Sequence, residues 1–164
     1  MLLLMLQSVY VGCICYAIVS DFRTLRISNW ISIILIAAFA VFAATHLEPR
    51  SILGHVAVAA IVFSLFSAFF VAGWVAGGDV KFITAITLWA GLEHVGNFVL
   101  LTALVGSVLA ITLLQIKKYG PLVQGALGNV WLFQRMSTLA EGSQCPYGVA
   151  IGIAALVSSA GIFQ

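Results

Sequence analysis

Charge is scarce in this sequence: seven Lys or Arg and five Asp or Glu among 164 residues, 7% in all, where soluble domains carry about a quarter. With 63% hydrophobic residues and a mean hydropathy of +1.17, lipid is the solvent for most of the chain. Three cysteines are too few for a disulfide framework, and Cys13 and Cys15 fall inside the first apolar run, where they read as small packing residues. Strand-like alternation of polar and apolar residues is also missing. In hydrocarbon every backbone polar group must be satisfied internally, so long unalternating apolar runs favour helices over a barrel. The basic residues form no patch, which excludes a nucleic-acid surface despite a net charge of +2 and a pI near 8.6. The histidines, His46, His55 and His94, do not cluster, and no metal site is expected.

What is present is a series of apolar runs near 2–19, 30–45, 52–74, 80–93, 95–116 and 146–163. About 20 residues cross a bilayer, so the expected fold is all-α, a polytopic membrane protein of about six transmembrane helices forming one membrane-embedded domain. The first run lacks a basic n-region and is read as a span, not as a cleavable signal peptide. The fourth run is short and its turn, around Glu93 to Asn97, is tight, which predicts a helical hairpin with the fifth. Ala68 and Ala72, and Gly148 and Gly152, permit close backbone approach between helices. Between Lys117 and Pro146 the chain is too polar to span, yet it carries Leu122, Val123, Ala126, Leu127, Val130, Trp131 and Phe133. Much of it is expected to lie on the membrane as an amphipathic helix, either as an anchor or as the wall of a substrate groove. Loop charge sets orientation: Arg23, Arg26, Lys81, Lys117, Lys118 and Arg135 fall on one side and only Arg50 on the other. Both termini are then outside the cytoplasm.

Five acids make up the whole inventory: Glu48 and Glu93 in the outer loops, Glu141 in the long inner segment, and the two aspartates, Asp21 and Asp79, at the cytoplasmic ends of spans one and four. A carboxylate at membrane depth is costly and marks function by default. Each Asp also has an ordinary reading, Asp21 as a partner for Arg23 or Arg26 and Asp79 as a cap for the fourth helix. Two glycines precede Asp79, and glycine adopts backbone conformations closed to other residues and lets a neighbouring chain come close. If the two aspartates face each other, they cannot both ionise readily; one keeps a proton and the other acts as base toward water, the requirement for amide hydrolysis.

Three segments carry a resemblance: Ser20-Asp21-Phe22-Arg23-Thr24-Leu25-Arg26-Ile27-Ser28-Asn29, Ala76-Gly77-Gly78-Asp79-Val80-Lys81 and Pro146-Tyr147-Gly148-Val149-Ala150. Together they resemble the type IV prepilin peptidase family of GxGD membrane aspartyl proteases, in its short branch that serves Flp (Tad) pili. The resemblance implies that Asp21 and Asp79 are catalytic and that Gly77, Gly78, Lys81, Arg23, Asn29, Tyr147 and Gly148 shape the site. It implies a bacterial inner-membrane endopeptidase that removes the short basic leader of a prepilin or pseudopilin at the cytoplasmic face, cutting after a Gly, in support of pilus or secretion-system assembly. Partners are then the prepilin and membrane lipid. Two positions depart from the family pattern: Ala76 stands for the first motif Gly and Ser28 for a common Pro. The family's long branch carries an N-methyltransferase activity and an insert with paired CxxC motifs, a zinc signal. The loop here, Ser20 to Asn29, contains no cysteine, so neither zinc nor a methyl donor is implied and no cofactor is expected. Lys81 and Arg23 are expected to hold the surrounding chain, with the Lys81 amine toward lipid headgroups, and Pro146-Tyr147-Gly148 to converge on the two aspartates. A small ion-coupled transporter and a noncatalytic assembly factor remain the alternatives.

Overall fold

The computed structural model describes residues 1–127, 130–142 and 145–162, and every regular element among them is a helix. These are α1 (Leu2–Thr24), α2 (Asn29–His46), α3 (Pro49–Val71), α4 (Gly77–Leu127), α5 (Trp131–Glu141) and α6 (Tyr147–Ile162). Four of them, α1, α2, α3 and the Gly77–Gly120 stretch of α4, are long and apolar enough to cross a membrane, and α6 is apolar but shorter. Large apolar side chains such as Leu4, Ile61, Leu65, Val108 and Leu114 point outward, as lipid-facing positions do.

Local chemistry sets the breaks. Leu25 ends α1 in the left-handed region (φ 55, ψ 32), its amide donating back to the Asp21 carbonyl at 2.8 Å. Pro49 opens α3 at a position where its missing N–H costs nothing. Gly73, with φ 76, closes α3, and the Trp74 amide reaches back to the Phe69 carbonyl at 2.9 Å, a Schellman-type end.

The hairpin turns at Gly91 (φ 60, ψ −170), two residues before the expected turn around Glu93 to Asn97, and Val95 to Asn97 are helical. That backbone combination is open almost only to glycine, so a single residue reverses the chain and no polar loop is needed. The reversal is visible in Ile83 and Thr102, which wall one cavity of about 440 Å³; an unbroken helix would set them about 28 Å apart. His55 packs against Gly91, and its Nδ1 pairs at 2.6 Å with the Leu88 carbonyl in the turn just before the break. The segment after Lys117 also departs from expectation. Helix α4 runs on to Leu127, so only α5 is a separate amphipathic helix, packed on α4 through Leu139 and Ala140; positions 128–129 and 143–144 of the expected segment lie outside the described residues.

The core is aromatic. Trp89 of α4 meets Tyr10 of α1 at 5.1 Å and Phe39 and Phe42 of α2 at 5.7 and 5.3 Å between ring centroids, and its indole N–H donates to the Leu35 carbonyl at 3.1 Å. Helices in lipid associate through such packing because water drives nothing between them. With α1, α2 and α4 pinned at this cluster, the bundle has two ends. One gathers Arg23, Lys81 and Arg135; the other holds Arg50 with His55, Glu93 and His94 around a cavity of about 410 Å³.

Candidate active site

Asp21 sits in the last turn of α1 and Asp79 in the first turn of α4, at the same end of the bundle. Both are buried, at 4% and 7% exposure, in a chain with only five acids. They line a single cleft of about 420 Å³ together with Leu25, Gly73, Trp74, Val75, Ala76 and Cys145. The Asp21 Oδ2 accepts from the Val149 amide at 3.2 Å. That amide, in the first turn of α6, is shared with the Pro146 carbonyl at 3.2 Å, so Asp21 serves as one of two acceptors at the start of another helix, a partner different from the Arg23 or Arg26 considered above.

Glycine 148 makes this contact possible. A methyl group in its place would lie 2.9 Å from the Asp21 carboxyl carbon and Oδ2 and 2.5 Å from Ile27 Cδ1. One turn further, Gly152 is pressed on Ile18 and Ile14, so the Gly148–Gly152 face of α6 receives α1 as small-residue helix contacts do.

Gly77 and Gly78 play a different part from the one expected. Both lie inside α4 and neither has positive φ, so they supply no unusual backbone conformation. Their missing side chains are filled from within the protein: the Phe70 ring comes to 3.3 Å of where a Gly77 methyl would be, and the Ile27 carbonyl to 3.3 Å at Gly78. The close approach is that of α3 and of the corner between α1 and α2.

Lys81 is exposed and its Nζ donates to Asn29 Oδ1 at 3.0 Å, so it ties the start of α4 to the start of α2 instead of reaching for headgroups. Arg23 is exposed too, and what the fold uses of it is its carbonyl, which accepts from Arg135. Tyr147 is 45% exposed and does not line the acidic cleft. It walls the neighbouring apolar cavity with Phe66, Phe69, Ile83, Thr102 and Ile151. Trp74 and Val75 line both spaces, so the cavity and the cleft are neighbours that share a wall. Sequence reasoning gave no site role to Val149, Trp74, Cys145 or Arg135, although Val149 lies inside the Pro146-Tyr147-Gly148-Val149-Ala150 segment and Cys145 directly precedes it.

Cys145 reports on the cleft without any substrate. Burial pushes its thiol up from the ordinary value, and negative charge on Asp21 and Asp79 pushes it the same way. The reactive thiolate is therefore rare at neutral pH. Maleimide labelling of Cys145, followed by mass spectrometry, should be slow at neutral pH and accelerate as pH rises. In a protein carrying both Asp21→Asn and Asp79→Asn it should be faster at any one neutral pH; an unchanged rate would place neither charge near the thiol.

A helical membrane bundle with two buried acids in one terminal cleft is the architecture that fold and site define. By comparison with known families the chain belongs to the type IV leader peptidase family, matched over residues 8–111. It is thus a membrane protease with a protein substrate. No curated protein and no solved structure matches it. The family match includes both aspartates and stops short of α5, Cys145 and Gly148.

Proposed function

We propose that the protein is an aspartyl endopeptidase that removes the short basic leader from prepilin-like substrates at the cytoplasmic face of the membrane, in support of pilus or secretion-system assembly. The observation that carries the reading is the pair Asp21 and Asp79, buried and lining one cleft. Two carboxyl groups in one site share a proton and titrate as a unit. The ionised member draws a proton from water, whose oxygen attacks the scissile carbonyl; the protonated member gives its proton to the carbonyl oxygen. As the tetrahedral species collapses, the C–N bond breaks and a carboxyl proton passes to the leaving amine. Val149 keeps one oxygen of Asp21 in place through these steps. The apolar cavity beside Tyr147 takes the apolar stretch that follows the leader, because it is apolar and adjoins the cleft at Trp74 and Val75. Lys81 and Asn29 hold the helix starts around the acids.

The direct test incubates the purified protein with a prepilin and sequences the new N-terminus. Cleavage at the leader junction is expected; an intact substrate alongside acid-dependent ion flux in vesicles would favour a transporter. Orientation is tested separately. A cysteine at position 50 should label from outside the cytoplasm and one at position 117 from inside; labelling of position 50 from the cytoplasm alone would put the acids on the wrong face.

A further inference from the structure

Asp21 belongs to a helix end, and helix ends are loose unless something holds them. The last four carbonyls of a helix have no partner in their own helix. In α1 the Asp21 carbonyl is taken by the Leu25 amide at 2.8 Å. The next two are taken from outside: Arg135 of α5 donates through Nε to the Phe22 carbonyl at 2.9 Å and through Nη2 to the Arg23 carbonyl at 2.8 Å. Both distances are those of good N–H···O bonds, and a guanidinium offers a rigid fork that suits adjacent acceptors. Its positive charge also meets the negative end of the α1 dipole.

Side chains bind the same corner to α5. The Phe22 ring meets the Trp131 ring edge-on, with centroids 6.0 Å apart, and Phe22, Leu25, Met136 and Cys145 pack around Leu113, Leu139 and Ala140. Arg135 therefore bridges the carbonyls of the two residues directly after Asp21. The Asp21 side chain is held from α6 by Val149 and Gly148. Its backbone turn is held from α5. Neither hold lies within residues 8–111, the stretch that matches the family.

We infer that Arg135 is a positioning residue for leader cleavage: by bonding the Phe22 and Arg23 carbonyls it fixes the last turn of α1 and so the direction in which Asp21 presents its carboxyl group to the cleft. The inference rests on the assignment of Asp21 as a member of the catalytic pair. Arg135 does not line the cleft that holds the two acids. Without it the turn loses its two outside donors while the aromatic core around Trp89, far along α1, stays intact; the bundle persists and Asp21 drifts. A displacement near an ångström at a reacting group costs about 10²-fold in rate.

The experiment compares full-length wild type, Arg135→Ala, Arg135→Lys and Asp21→Asn in proteoliposomes, with initial rates of leader cleavage measured across substrate concentration. Arg135→Ala should lose about 10- to 100-fold in kcat with KM unchanged. Arg135→Lys, which keeps a charged donor, should recover part of that loss. In Arg135→Ala the Val149 amide should exchange with deuterium faster, since one of its two acceptors, the Asp21 carboxylate, no longer stays put. A wild-type kcat in Arg135→Ala, a loss confined to KM, or a Lys variant no better than Ala would overturn the positioning role. Should the Ala protein fail to insert, Arg135→Gln carries the same kcat and KM comparison. Asp21→Asn separates the two levels: if it cleaves normally the aspartyl reading itself falls, whereas a dead Asp21→Asn beside a fully active Arg135→Ala removes only the role of Arg135.

Discussion

Replacing Asp21 or Asp79 by Asn should leave the bundle inserted and lower leader cleavage by about 10²–10⁴-fold, the usual contribution of a positioned proton-transfer group. Asparagine fills nearly the same volume, so the packing of Leu25, Trp74 and Cys145 around the cleft is retained. What is lost is the ability to accept a proton from water and return it. The two variants should differ in stability, because they bond differently. The carboxamide of Asp21→Asn can still accept from the Val149 amide through its oxygen, with less strength than a carboxylate. Activity of the wild type should fall on both sides of an optimum, since removing the shared proton and adding a second one each disable the pair. Substantial activity in Asp79→Asn would point to another base, and a pH profile flat on one side would mean that a single carboxylate does the work.

How much of this was legible in the sequence varies from place to place, for physical reasons. The helices were legible because lipid demands long apolar runs, and their ends are marked by residues with a mechanism, such as Pro49 at the start of α3 and the αL-tolerant Gly73 after its end. The hairpin was legible but its turn was misplaced. Glu93, His94 and Asn97 look like a loop by polarity, yet Gly91 alone makes the reversal and the polar residues begin the next helical stretch. The acids were legible because charge is so scarce that two aspartates at span ends stand out. Their surroundings were not. Gly77 and Gly78 announce missing side chains, but only the fold reveals that Phe70 and Ile27 occupy the space. Arg135 looked like one more inner-loop cation, because the carbonyls it serves lie more than a hundred residues earlier in the chain.

The second large effect is steric and belongs to Gly148. Gly148→Val should abolish cleavage in protein that still inserts, because its first carbon alone would stand 2.9 Å from the Asp21 carboxyl carbon. Something must move. The Ile27 side chain can turn aside at its far end, but Asp21 is a short side chain held to the Val149 amide one residue away. Relief therefore comes by breaking that bond and pushing the carboxyl group out of line, or by prying α6 from α1, where Gly152 is already in contact with Ile18. Overpacking of this kind costs about 1–3 kcal/mol, enough to lower the melting temperature but too little to unfold a bundle pinned by the Trp89 cluster. Gly12→Ala is the control. It adds a methyl group to the exposed side of α1 with no atom within 4 Å of it, and should leave activity near that of the wild type. Lys81→Ala should fall between the two, since the exposed Lys81–Asn29 bond joins helix starts without touching the cleft. The comparison is a cleavage assay on equal amounts of inserted protein. If Lys81→Ala proved more damaging than Gly148→Val, the site would depend on charge at its rim more than on the fit between Asp21 and α6.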